Sequence, residues 1–255
     1  MLPFERLRSL ARYAGDDRIL VDEVAECLAD FDDDPVQLVL VCRRLLAHHP
    51  ANGPLWWLCS RVVGASDPAT AARDAMRSAA RDRTVDRLAA VLPFPHDDPV
   101  VVLGWPEAAG AALAQRPDLD VVVVRPGRGD PSLRARLGAV EGPRRMVDLT
   151  EAMAVAATHL LVEVRVTSPT TAIVPEGTAD LVWGLPDAAL WLVAPVDRIL
   201  PARMFAVLRE RLGEDDGEVF EVADAARIAG PGGLDSAERF VTRLDCPLAP
   251  ELLRI

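Results

Sequence analysis

The chain has 255 residues, half of them apolar, and its 28 basic and 39 acidic side chains give a formal charge of -11. That length buries a sizeable core, as one large domain or as a small one beside a medium one, and the acidic balance opposes binding to nucleic acid or to an anionic membrane surface. All 28 basic residues are Arg, which excludes a Schiff-base lysine, a Walker-loop lysine and the strand lysine of a kinase.

The opening stretch MLPFERLRSLARYAGDDR carries charge throughout and lacks the continuous apolar centre of a secretory signal. No later run reaches membrane-spanning length. The four cysteines, Cys27, Cys42, Cys59 and Cys246, have no close paired spacing and read as buried thiols of a reducing compartment. The expectation is a cytoplasmic protein with no zinc site and no cofactor.

From Leu2 to about Val91 the pattern is helical. Val21, Val24, Ala25, Leu28 and Phe31 recur at three and four residues, one stripe of an amphipathic helix. Asp32, Asp33, Asp34 and Pro35 end it and begin the next, since an acidic residue and a Pro both suit a helix start. Val36 to His48 is apolar on most sides and closes at His48-His49-Pro50. The two histidines point about 100° apart on a helix and have no acidic or Cys partner at ligand spacing, so they read as a helix end rather than a metal site. Pro50-Ala51-Asn52-Gly53-Pro54 is a turn into a helix carrying Trp56 and Trp57, which is expected to lock this helix to the later domain. Between Thr70 and Leu92, five Arg and three Asp interleave at helical spacing, the pattern of a solvated face.

Composition shifts at Pro93 to Pro99, which divides the chain into a helical subdomain, 1–95, and an α/β domain, 96–255. Strands are expected at Val100 to Leu103, Asp120 to Val124, Arg144 to Val147, Leu160 to Val166 and Ala189 to Val193, with helix-sized segments between them. Short β-branched runs at that spacing are the signature of right-handed βαβ units and a buried parallel sheet. A helix near Met204 to Leu212, a strand at Val219 to Val222, and one further strand with a helical turn between Arg239 and Ile255 complete the chain.

The order of these elements resembles that of the eukaryotic initiation factor 2B regulatory subunits and their relatives, methylthioribose-1-phosphate isomerase and ribose-1,5-bisphosphate isomerase, from roughly Pro35 to the C-terminus. HPANGPLWWLCSRVV resembles that family's entry into its inter-domain helix through Pro50, Leu55 and Trp57. Val121 to Arg128 resembles its strand ending in Arg-Pro through Arg125 and Pro126. Gly177-Thr178 matches the end of its Asn-Lys-x-Gly-Thr element, and Trp191 to Pro195 matches the following strand ending in Ala-Pro. The resemblance implies a Rossmann-like, mainly parallel sheet of the NagB/RpiA/CoA-transferase type behind a helical subdomain, and a homodimer.

The departures bear on chemistry. The isomerases' proton-transfer Cys falls at Pro106 or Glu107, their Asp at Val164, and the Asn-Lys pair at Val174-Pro175. Val and Pro exchange no proton, so the acid and base of that mechanism are not both present. What remains is a candidate anion pocket at strand ends. Arg125, Arg128 and Arg165 supply guanidiniums, Ser168, Thr170, Thr171 and Thr178 hydroxyls, and Gly127, Gly129 and Gly177 close backbone approach. The competing reading pairs Arg165 with Glu163, Asp148 or Glu176 and makes the Thr-rich segment a turn. A Ser168/His159 hydrolase lacks a nucleophile elbow and has its His at the wrong end of a strand. Gly104-Trp105-Pro106-Glu107 puts bulk where a dinucleotide needs glycine, so Trp105 walls the pocket, stacks on a base or packs in the core.

The function expected is therefore a catalytically degenerate relative that binds a phosphorylated small molecule, a sugar phosphate or nucleotide, or a protein partner in a regulatory role. The alternative is an active enzyme with relocated carboxylates, drawn from Glu107, Asp148, Glu163 and Asp197.

Overall fold

A computed structural model describes residues 3–13, 17–29, 34–92, 99–127, 133–213, 216–240 and 246–253. The expected boundary stretch lies, except for Pro99, outside the described residues. Six helices come first: α1 (Pro3–Leu10), α2 (Asp17–Ala29), α3 (Pro35–His48), α4 (Gly53–Val63), α5 (Pro68–Ala80) and α6 (Thr84–Val91). Their starts follow from short polar caps. Asp34 accepts from the amides of Val36 and Gln37, Asn52 from Leu55 and Asp67 from Thr70, each followed by a Pro in the first turn. The charged run from Thr70 to Leu92 is α5 and α6 separated by a turn, with an Arg77–Asp74 pair on its exposed side.

Strands and helices then alternate as β1 (Val100–Leu103), α7 (Glu107–Ala114), β2 (Val121–Val124), α8 (Leu133–Gly138), β3 (Arg144–Val147), α9 (Leu149–Met153), β4 (His159–Glu163), β5 (Val166–Thr167), β6 (Thr171–Val174), α10 (Thr178–Gly184), β7 (Ala189–Val193), α11 (Ala202–Glu210), β8 (Glu218–Glu221), β9 (Arg227–Gly230), β10 (Gly233–Asp235) and α12 (Ala237–Phe240). Seven strands form one sheet in the order β10-β9-β7-β4-β1-β2-β3, parallel except for β10. The fold class is the expected one: helices first, then a mainly parallel α/β sheet flanked by helices.

Alternation along the strands sorts the two faces. Val100, Val102, Val121, Val123 and Leu161 pack under α6 and α7, while Val101, Val122, Leu160 and Val162 pack under α9 and α10. Each fully buried Val or Leu contributes about 1.5–3 kcal/mol, which accounts for strands apolar on both sides. A third cluster joins α1 to α5 with α11, the C-terminal turn, and Val166 and Ile173.

Three features differ from the sequence expectation. The fourth strand ends at Glu163, and Val166–Thr167 instead begins a hairpin with β6 that joins β8 in a separate antiparallel sheet, β5-β6-β8. Its alternation sends Ile173 and Val166 to the helical core and Ala172 and Val174 to the sheet core, so the hairpin ties the two together. The strand expected between Arg239 and Ile255 does not occur among the described residues, which there form α12 and a single helical turn. The β9–β10 hairpin has no counterpart in the sequence reading.

Candidate functional site: a cleft at the strand switch point

From β1 the chain runs outward to β2 and β3, then returns to the other side of β1 with β4, β7 and β9. The reversal lies between β1 and β4, and an α/β sheet opens its binding crevice at the carboxyl ends of such strands. A cleft of about 350 Å³ lies there, lined by Arg18, the Gly104–Glu107 connection, Pro126, Arg136, Val164, Arg165, Pro175 and Arg198 among others. A smaller cavity of about 150 Å³ adjoins it, shares Arg18, Glu107, Glu163 and Arg198, and adds Asp82 and Asp197.

The alternation that places Leu161 under α7 also turns Glu163 to that side. Its side chain is only 3 % exposed. One carboxylate oxygen accepts from the amides of Ala108 and Ala109, at 2.8 and 2.9 Å, at the N-terminus of α7, and the other lies 3.4 Å from the Arg198 guanidinium. Burial pushes the Glu163 carboxyl above the usual carboxylate range, against the pull of Arg198 and the two amides. Burial likewise raises Asp197. For Arg198 burial lowers the pKa, but Glu163 and Asp197 outweigh it and hold the guanidinium charged. Arg198 also donates to the backbone carbonyls of Val164 and Arg165, at 3.3 and 3.4 Å, which fixes the strand end beside the cleft.

Arg165 is positioned from behind by α4. A Cβ on Gly53 would come within 2.5 Å of the Arg165 carbonyl and 2.9 Å of Val166 Cβ, so only glycine lets the helix start this close. The Nε of Arg165 is buried without a hydrogen-bond partner. Trp105 is largely buried, its indole lying so close to α7 that a Cβ on Gly110 would meet its Nε1 at 2.8 Å. It both packs in the core and walls the cleft.

No family model and no curated protein matches the sequence. Solved structures do match. Translation initiation factor eIF-2B from Pyrococcus horikoshii OT3 superposes with a TM-score of 0.74 at 12% identity, covering 94% of this chain and 98% of that one. eIF2B beta from Chaetomium thermophilum gives 0.72 at 12% identity over 98% and 94%. The tetrameric eIF2B-beta2-delta2 complex from C. thermophilum gives 0.69 at 13% identity over 94% and 92%. The chain has the eIF2B subunit fold. At these identities it is a divergent example.

Within this eIF2B-like frame, the positions that the resemblance assigned to proton transfer, Pro106, Glu107 and Val164, come together on the cleft, as does Pro175. Val164 is fully buried and its amide donates to the Val193 carbonyl. Of the residues expected in the anion pocket, Arg165 lines the cleft. Arg125 is exposed at the end of β2 and its neighbour Pro126 lines the cleft instead. Arg128 and Gly129 lie outside the described residues.

Of the four hydroxyls, those of Ser168 and Thr178 serve the backbone, while those of Thr170 and Thr171 lie 3.4 Å from each other. Ser168 accepts from the amides of Thr170 and Thr171 and donates to the Thr171 carbonyl, closing the β5–β6 turn, and Thr170 and Thr171 sit at that turn. The Thr178 hydroxyl donates to the Pro175 carbonyl. Gly177 adopts φ 89° as the cap of α10, and the Glu218 carboxylate takes the amides of Gly177 and Ala179, at 2.6 and 2.8 Å. Of the four candidate carboxylates, Asp148 caps α9 in a reciprocal box with Glu151, while Glu107, Glu163 and Asp197 share the small cavity.

Arg18, Arg136 and Arg198 were not singled out from the sequence. The one available signal was Arg198 standing four residues after Ala194 at the carboxyl end of β7. His159 begins β4, at the amino end and edge-on to Trp191, whereas Ser168 lies in the β5–β6 turn of the other sheet. His49 caps α3 and reaches the Leu10 carbonyl. Among the described residues no three His, Cys, Asp or Glu side chains are grouped to hold a metal, and no helix is long and apolar enough to cross a membrane.

Proposed function

We propose that the chain is a catalytically degenerate, eIF2B-like cytoplasmic protein that binds an anionic small molecule, a sugar phosphate or nucleotide, at the strand switch point in a regulatory role. The observation that carries this reading is Arg165: a guanidinium on the cleft whose buried Nε has no hydrogen-bond partner, beside Arg18 and Arg136 on the same walls. Arg18 is ion-paired with Glu107 at 2.7 Å, so Arg136 and Arg165 are the guanidiniums through which a crevice in a protein of charge -11 selects a phosphate or carboxylate. Val at the position of the isomerases' Asp, with Pro106 or Glu107 at that of their Cys, supports binding without proton transfer. Calorimetric titration with ribose 5-phosphate and with nucleoside monophosphates tests the reading, and no heat with either class counts against it.

A second reading is favoured by Asp197, a carboxyl of the small adjoining cavity whose pKa burial raises, as a relocated acid or base. Turnover of a bound sugar phosphate, followed by NMR and lost in Asp197→Asn, decides for it. The division at 95/96 and a homodimer complete the proposal. In support of assembly, one of the similar solved structures is a tetrameric beta2-delta2 complex, and Trp183 on α10 is 84 % exposed.

A further inference from the structure

The N-terminus of α7 and the guanidinium of Arg198 together form the donor set that a phosphate or carboxylate ligand meets in an anion site: two helix-start amides and a fork of N–H groups. In this chain an internal carboxylate already fills it. Glu163 takes both amides with one oxygen and faces Arg198 with the other, and its side chain is almost wholly withdrawn from solvent. Glu218, from β8, takes the amides of Gly177 and Ala179 at the start of α10, which follows Pro175 on the cleft wall. The second observation concerns the small cavity itself, where Asp197 Oδ1 is buried without a hydrogen bond and its ion-pair partner, the Arg198 Nε, stands off at 3.9 Å. Asp82 and Glu107 line the same space, and Arg18 and Arg198 are the cations on its walls among the described residues. A carboxylate oxygen without a donor asks for a hydroxyl or amine, and four carboxylates around one small cavity repel a further anion.

We propose that Glu163 is a built-in anion that sets the orientation of the ligand. It supplies from within the chain the negative charge that α7 and Arg198 would otherwise draw from a phosphate. The ligand therefore directs hydroxyl donors inward to Asp197 and its anionic group outward to Arg136 and Arg165. The inferred ligand class is a polyhydroxylated monoanion or dianion with its charge at one end. This inference rests on the cleft being an anion-binding pocket, and Glu163 acts as a specificity and positioning residue rather than a catalytic one.

The test uses inorganic phosphate as probe and thermal unfolding as readout, on the full chain. In Glu163→Ala the vacated site gains phosphate. Tm is expected to rise by about 5–10 °C at phosphate near 100 times its dissociation constant, and this gain survives in Glu163→Ala/Arg165→Ala. In the unsubstituted protein any phosphate response is confined to the outer rim and disappears in Arg165→Ala. A Glu163→Ala protein that melts alike with and without phosphate overturns the proposal, as does a gain that vanishes when Arg165 is also replaced. An unsubstituted protein whose phosphate response is unaffected by Arg165→Ala counts against the cleft reading instead, which keeps the two failures distinct. Should Glu163→Ala be recovered only unfolded, refolding yield replaces Tm, with Glu163→Gln, which keeps the shape and loses the charge, measured alongside. A yield that phosphate leaves unchanged in both variants contradicts the proposal.

Discussion

Replacing Arg198 with Met probes the electrostatics of the cleft directly. The guanidinium, 14 % exposed, is the cation facing Glu163 at 3.4 Å and lies 3.9 Å from Asp197. The other charged groups turned toward it are Asp17, Arg18 and Glu107. Met retains the aliphatic volume, so the loss is mainly of charge and of the donors to the Val164 and Arg165 carbonyls. Removing one partner of a buried pair costs about 3–5 kcal/mol, because the other charge is left uncompensated. The cost should depend on pH with a definite sign. Burial already raises Glu163 and Asp197, and without Arg198 both rise further. A carboxyl with a raised folded-state pKa contributes stability at low pH that is lost as pH climbs from the ordinary carboxyl range, about 4, through the raised value. Arg198→Met is therefore expected to lose more at about pH 8 than at about pH 5.5, read from urea midpoints followed by Trp fluorescence at unchanged slope. A variant within about 1 kcal/mol of the parent at both values would mean that the pair is not the buried, charged contact described, since exposed pairs are worth that little. An equal loss at both values would refute the pH reasoning.

Other expectations follow from single contacts. Gly53→Ala drives a methyl into the Arg165 carbonyl and should cost about 1–3 kcal/mol by denaturant melt, with weakened sugar-phosphate binding because the strand end behind Arg165 shifts. Ser168→Ala removes an acceptor and donor inside the β5–β6 turn and should cost about 1–3 kcal/mol of stability, while calorimetry shows ligand affinity unchanged. Trp183→Glu places a charge on an exposed apolar side chain, and sedimentation should show a smaller assembly with the melting temperature of the dissociated chain unaltered.

The parallel sheet was legible because its strands are short β-branched runs, VVVL, VVVV and ALWLV, spaced by helix lengths, and burial on both faces demands that pattern. The β5–β6 hairpin was hidden by its own composition. Thr167 to Thr171 is rich in small hydroxyls, which suit a site loop and a hairpin turn equally, and only pairing with the distant β8 distinguishes them. For the same reason Ser168 reads as a ligand group although its hydroxyl closes the turn, together with the backbone of Thr170 and Thr171.

The cleft itself was half visible. Strand ends pointed to Arg165 and to the carboxylates of Glu107, Glu163 and Asp197, but Arg18 comes from α2 and Arg136 from α8, elements whose approach is decided by packing between distant segments. The role of Glu163 shows the limit most clearly. Its position after an apolar strand marks it as a strand-end acid, while its engagement with two α7 amides depends on which face of the sheet α7 covers.

Whether the cleft binds an anion through Arg165 is tested most directly by thermal unfolding of the parent and of Arg165→Ala, each titrated with ribose 5-phosphate and with a nucleoside monophosphate. The expected result is a ligand-dependent rise in the parent of about 5–10 °C at 100-fold excess over the dissociation constant, absent in Arg165→Ala although its unliganded melting temperature is close to that of the parent. A parent whose melting temperature ignores every sugar phosphate and nucleotide, or a rise that Arg165→Ala retains in full, contradicts it.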